Sequence, residues 1–225
     1  KCGKKRVALE LGGNAAVIVE PDADLDYAAT RCMVGGFGYA GQTCISVQRI
    51  FVHERIRDAF TALLLEKVKT LKSGDPAHEE TVVGPLIDQG AAQRVEAWVA
   101  EAVAQGGRLL IGGGRRGAVV EPTVLTDVRP TMKVSCQEVF GPVVAVTSYQ
   151  RFEEALAAVN DSAYGLQTGI FTRDINRIFQ AYRELQVGAV LANEIPTFLA
   201  DHMPYGGVKD SGLGREGVRY AMQEM

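Results

Sequence analysis

A chain of 225 residues has room for one sizeable domain or two small ones. Hydrophobic residues make up 47% and charged residues 23%, with a formal net charge of -3, the balance of an ordinary globular protein. There is no basic excess for nucleic acid or an anionic membrane, and no apolar run reaches the roughly 20 residues of a spanning helix. The basic start, Lys1 to Arg6, is not followed by an apolar signal core, so a cytoplasmic protein is expected.

Short apolar runs alternate with amphipathic helical patterns, which predicts an α/β fold: a mainly parallel twisted sheet flanked by helices in Rossmann-like layers. Arg6–Leu11 and Ala15–Val19 read as strands separated by Gly12 and Gly13. Asp24 caps a helix from near Leu25 that runs into the glycine cluster Gly35, Gly36, Gly38 and Gly41. Gln48–His53 reads as a strand. Ile56, Phe60, Leu63, Leu64 and Val68 have helical spacing and end at Gly74-Asp75-Pro76. Ala92, Val95, Val99 and Val103 repeat that spacing. Leu109–Ile111, Val143–Val146, Thr168–Phe171 and Ala189–Ala192 are the remaining strands, with helices near Phe152–Val159 and Ile175–Leu185. No repeat or linker divides the chain, so one domain over residues 1–225 is expected.

Gly112-x-Gly114-x-x-Gly117 has the spacing of a dinucleotide fingerprint. That fingerprint must open a helix, and here the strand-like Ala118-Val119-Val120 and then Pro122 follow, so a plain turn is expected. No phosphate-binding P-loop is present. The four cysteines contain no C-x-x-C pair and only three histidines accompany them. Neither a disulfide framework nor a metal site is expected.

Cys44 follows a glycine-loosened helix end and precedes a strand, in Gly41-Gln42-Thr43-Cys44-Ile45-Ser46. A loop of small residues lets a thiol and its own backbone N–H face a substrate. On the residues alone it is either a nucleophile or a small apolar filler. Glu10 lies in an otherwise apolar run beside Gly12-Gly13. Burial there would favour its protonated form and suit a general base, while an edge position would simply put it in water.

Five ordered segments resemble the aldehyde dehydrogenase superfamily over essentially the whole chain. They are Leu9-Glu10-Leu11-Gly12-Gly13-Asn14, Phe37 to Cys44, Glu138-Val139-Phe140-Gly141-Pro142, Asn160-Asp161 with Tyr164-Gly165-Leu166, and Pro204-Tyr205-Gly206-Gly207 through Glu216. Lactaldehyde- and succinate-semialdehyde-type members are the most similar. The resemblance implies oxidation of a small aldehyde to a carboxylic acid with NAD or NADP. Cys44 would form a thiohemiacetal and then a thioester, which water activated by Glu10 hydrolyses. The Cys44 N–H would donate to the oxyanion, the second donor being an asparagine upstream of this region. Glu138 and Phe140 would hold the nicotinamide ribose, and Leu11 and Gly12 would pass close to the nicotinamide amide. Asn193, Phe198 and Tyr205 would border the substrate tunnel, with His202 and Met203 as further liners. Asn14 stands where relatives often carry Lys, Tyr205 where many carry Phe, and Thr43 where many carry Cys. Asn14 and Tyr205 are expected not to touch the chemistry directly.

Family members are about twice as long, with a coenzyme-binding domain ahead of the glutamate motif and a terminal strand used in oligomer contacts. The chain therefore reads as a catalytic-domain fragment that has lost most of the cofactor site and cannot oxidise aldehydes alone. The complete enzyme would be a homodimer or homotetramer. Two alternatives stay open: a CoA-acylating aldehyde dehydrogenase, against which Glu10 argues, and a non-catalytic binding member of the same scaffold.

Overall fold

Seven strands form the central sheet: β1 (Ala15–Val19), β2 (Val47–His53), β3 (Arg108–Ile111), β4 (Thr123–Thr126), β5 (Val143–Tyr149), β6 (Gln167–Phe171) and β7 (Ala189–Ala192). Their spatial order in the computed structural model, which describes residues 3–225, is β7-β6-β1-β2-β5-β4-β3. Lys1 and Cys2 lie outside the described residues. Every neighbouring pair is parallel except β3 with β4, so the sheet is parallel with one antiparallel edge strand. This is the mainly parallel α/β architecture the alternating pattern predicts.

The central strands β1 and β2 feed two cores because their side chains alternate between faces. Val17, Val19, Ile50 and Val52 enter a larger core, while Ala16, Ile18 and Phe51 enter a smaller one on the other side. The larger core is closed by α1 (Leu25–Phe37), α2 (Arg57–Lys69), α3 (Gln89–Ala104) and the single turn α4 (Lys133–Cys136). The smaller is closed by α5 (Phe152–Asn160) and α6 (Ile175–Glu184). Asp24 caps α1 by accepting from the Tyr27 N–H, as its position predicts, and Asp88 and Asp174 do the same for α3 and α6. Along α2 the buried residues are Phe60, Leu64 and Val68, one per turn. Each such side chain contributes about 1.5–3 kcal/mol through burial.

Three expectations change. Arg6–Leu11 is not a strand of the main sheet; only Leu9–Glu10 is extended and paired, antiparallel to Gly212–Leu213. Val7, Leu9 and Leu11 all remain exposed, so the apolar run has no core to enter. On α3 the last core residue is Ala102 and Val103 points outward, because four-residue spacing throughout overruns a 3.6-residue turn. The missed strand is β4, a four-residue run after Pro122, which the Gly112–Gly117 turn and a two-residue hairpin, Arg115–Arg116 with Val119–Val120, deliver to the sheet. The glycines there serve a turn, as expected. Among the described residues no helix is long and apolar enough to cross a membrane.

Candidate active site

Parallel strands put all their entrances on one edge of a sheet. The amino ends of β1, β2, β5 and β6 follow directly on Gly13-Asn14, Cys44-Ile45-Ser46, Gly141-Pro142 and Gly165-Leu166. Segments far apart in sequence therefore meet at this amino-end edge, which most α/β proteins leave to structural turns.

Cys44 is aimed by the break at the end of α1. Tyr39, Ala40 and Gly41 all take left-handed φ values, 51°, 54° and 69°, which reverses the chain before β2. A Cβ on Gly41 would collide with the Gly141 carbonyl, so only glycine passes there. Gln42 then fastens the loop, donating to the Pro85 carbonyl at 3.3 Å and accepting from the Ile87 N–H at 2.9 Å. Gly13 lies so close beneath that any side chain on it would overlap the Cys44 carbonyl oxygen. The Cys44 side chain is partly accessible and packs beside Ile45, Leu166 and Tyr205. Its Sγ lies 3.1 Å from the Tyr205 hydroxyl. Cys32 contrasts with it: fully buried in the larger core, where desolvation pushes its thiol well above the ordinary range.

Glu10 approaches from the short Leu9–Glu10 strand. Its Oε2 is buried without a hydrogen-bond partner. Desolvation raises its pKa, the nearby Glu216 raises it further, and the Gly207 backbone and Arg215 oppose the shift. Both Glu10 and Cys44 act electrostatically on the Tyr205 hydroxyl, so the three groups share one environment.

Glu138 lies on the opposite side of the glycine pair. Its Oε1 accepts the Gly13 N–H at 2.8 Å. A Cβ on Gly12 would come within 2.5 Å of Oε2. Burial raises the Glu138 pKa, with the Gly13 hydrogen bond and Arg94 acting against it. Phe140 is 41% exposed with φ 48°, a large ring held outward by a left-handed backbone. Leu11 is likewise exposed, its N–H donated to the Ser211 carbonyl at 3.1 Å.

The proposed substrate liners divide. Tyr205 and Met203 line one open groove of about 720 Å³ together with Arg6, Leu199, Arg215 and Glu216. His202 lines a neighbouring depression instead. Phe198 is exposed on the loop whose Pro196 and Phe198 carbonyls accept from Gln167 Nε2. Asn193 is not brought to the site. It follows the carboxyl end of β7, and its Oδ1 accepts from the Thr172 N–H at 3.1 Å, on the far edge from Cys44.

Sequence reasoning missed the polar layer that fixes this edge, of which Asn14 is part, and the contact of the Tyr205 hydroxyl with Cys44 Sγ. Asn14 is buried, and its Nδ2 donates to the Ser135 carbonyl at 2.7 Å. Gln48 donates to the Val134 and Gln137 carbonyls and accepts from the Val139 N–H. Together they clamp the segment that carries Glu138. Arg49 is buried, donates to the Asn14, Ala158 and Val159 carbonyls, and has its pKa lowered to about 10 chiefly by desolvation. The available signal was the one used for Glu10: Gln48 and Arg49 are polar residues inside an apolar strand.

The Aldehyde dehydrogenase family model matches residues 1–225. The 3-sulfolactaldehyde dehydrogenase of Priestia aryabhattai is 50% identical over 225 residues, all of this chain and 47% of that protein. Among solved structures, aldehyde dehydrogenase 21 from Physcomitrella patens, in complex with the reaction product succinate, superposes with a TM-score of 0.96 at 50% identity. It covers 99% of this chain and 47% of that one. Glyceraldehyde-3-phosphate dehydrogenase from Methanocaldococcus jannaschii, complexed with NADP, also gives a TM-score of 0.96, at 45% identity, covering 99% and 48% respectively. This chain thus spans about half the length of the relatives it matches. By matched length, identity and shared fold, it belongs to the aldehyde dehydrogenase family.

Proposed function

We propose that this chain is the catalytic half of an NAD(P)-dependent aldehyde dehydrogenase in which Cys44 is the nucleophile and Glu10 the general base. The observation that carries the reading is the pairing of a partly accessible thiol with a carboxylate whose buried Oε2 has no partner. The amide oxygens of Asn14 and Gln167 are also buried without a partner, but on a carboxylate a buried acceptor left open keeps a place for a proton. Such an oxygen suits a group that must take a proton.

Cys44 Sγ adds to the aldehyde carbon, and the carbonyl oxygen becomes an oxyanion facing the Cys44 N–H. When bound, NAD(P)+ would supply the two-electron oxidant, accepting the hydride whose loss leaves the acyl group on Cys44 as a thioester. Glu10 then takes a proton from water as the water oxygen bonds to the thioester carbon. The C–S bond breaks, Cys44 leaves as thiolate, and the carboxylic acid departs. The residues beside Gly12 fit a nicotinamide nucleotide: Glu138 keeps Oε2 free while Gly13 holds Oε1, and the Phe140 ring stands exposed beside it. Glu138 would hold ribose hydroxyls, Phe140 would pack on the sugar, and Leu11 and Gly12 would line the approach. The names of the relatives point to a short aldehyde bearing a hydroxyl or acidic group as the substrate class.

The test is Cys44→Ser in the complete enzyme, assayed with a panel of such aldehydes and both cofactors. Oxidation should fall by roughly a thousandfold or more, as removal of an essential nucleophile does. Peptide mass spectrometry of the parent enzyme should trap the acyl group on Cys44. Undiminished oxidation by the variant would sink the reading.

A further inference from the structure

We propose that the Tyr205 hydroxyl is the hydrogen-bond donor that holds the Cys44 thiolate ready for attack, a second side chain in direct contact with the reacting sulfur. This rests on Cys44 being the nucleophile. The O–S separation is 3.1 Å, within the range for a sulfur acceptor, and among the described residues the hydroxyl has no other partner. Its position is fixed on three sides. The Tyr205 N–H and carbonyl exchange hydrogen bonds with Glu216, the ring packs on Ile45 and Leu166, and the residue is only 8% exposed.

The charged groups facing this pair favour the hydroxyl as the donor. Glu10 and Glu216 lie near the hydroxyl, and Arg215 lies near Glu10. Burial, the bond to Cys44 and these carboxylates all push the tyrosine's ionisation well above its usual range. The hydroxyl therefore keeps its proton, and a thiolate beside it can only accept. A phenylalanine ring at this place would pack as well and donate nothing.

The chemistry follows from where the negative charge sits. A Cys44 thiolate is a strong acceptor, so the bond stabilises negative charge on Sγ while lowering the intrinsic nucleophilicity of the thiolate. When Sγ bonds to the aldehyde carbon the sulfur becomes neutral and the bond weakens. When water displaces the sulfur from the thioester, the charge returns to Sγ and the hydroxyl again accommodates it. Tyr205 thereby assists departure of the sulfur as well as its readiness.

The experiment is the pH profile of Cys44 alkylation by iodoacetamide in the complete enzyme without cofactor, for the parent and Tyr205→Phe. Labelling is read at Cys44 by peptide mass spectrometry, and thermal midpoints check the fold. Tyr205→Phe retains the ring and its packing. The variant should alkylate roughly three- to tenfold more slowly at neutral pH, the loss of one modest hydrogen bond. On the alkaline plateau, where every Cys44 is thiolate, it should match or exceed the parent. A purely structural role would not produce that crossing. Superimposable profiles, or an equal drop at every pH, would overturn the proposal while leaving Cys44 as nucleophile. A Cys44→Ser enzyme that still oxidises aldehydes would remove the nucleophile assignment and this proposal with it.

Discussion

The two edges of the sheet treat their carboxylates in opposite ways. At the carboxyl ends of the strands Glu20 is 2% exposed and fully engaged: Tyr149 donates its hydroxyl to Oε1, and Arg177 pairs with Oε2 at 2.9 Å. Arg177 also lies over the Phe152 ring at 4.9 Å. Nearby, Asp22 accepts from the Thr172 hydroxyl and the Arg173 N–H. At the amino ends, among the described residues, Glu10 has no ion-pair partner within bonding distance and its Oε2 has no hydrogen-bond partner. The carboxyl-end network holds loops together, whereas the amino-end edge leaves one carboxylate oxygen without a partner. On the proposed assignment, the carboxylate with a full set of partners is structural and the one with an open oxygen is chemical.

The sharpest break of that comparison is Glu10→Gln in the complete enzyme. It should slow steady-state turnover by about 10²–10⁴-fold, the range for a general base, and allow acyl-enzyme to accumulate on Cys44 with little change in thermal midpoint. Turnover at the parental rate would return Glu10 to the structural class. Arg177→Met tests the other edge. It leaves Glu20 buried without its cation and should cost about 2–3 kcal/mol in denaturant unfolding, less than a fully buried pair because Arg177 is partly exposed. Aldehyde oxidation by folded protein should be unchanged. A large loss of activity with unaltered stability would erase the division between the edges.

The smallest expected effect is on stability against pH. Folding raises the Glu10 pKa through burial and then Glu216, so the folded state holds this proton more tightly than the unfolded one. Its favourable contribution is complete below the ordinary carboxylate value of 4.5 and disappears as pH rises through the raised value. Comparing unfolding curves of the parent and Glu10→Gln from acid to neutral pH should therefore show the variant gaining relative stability as pH increases. A constant difference across that range would contradict the shift.

Much of this was readable from the residues because their constraints are local. Apolar periodicity located six of the seven sheet strands and the main helices, and Asp24 marked a cap by its place before a helical pattern. The motif order pointed to Cys44, Glu10 and Glu138 before any geometry was known. Other features depend on partners distant in sequence. Nothing local shows that Leu9 and Leu11 stay exposed, that Asn14 ties down the Ser135–Gln137 backbone, or that Tyr205 reaches Cys44. Asn193 was misplaced for the same reason: it follows a strand in sequence, but strand direction decides which edge it occupies.

The two-residue pairing of Leu9–Glu10 with Gly212–Leu213 joins segments near opposite ends of the sequence. Such a contact forms only after all the residues between these segments are available, and its loop closure is among the most entropically demanding in the fold. Glu10 and Tyr205 both depend on it or on its immediate neighbours for their approach to Cys44. A ribosome-bound chain not yet extended past residue 204 carries the thiol without the tyrosine beside it or the strand that brings in the base. On the proposed roles, the thiol therefore meets its base and its tyrosine only once Gly212 and Leu213 have been made.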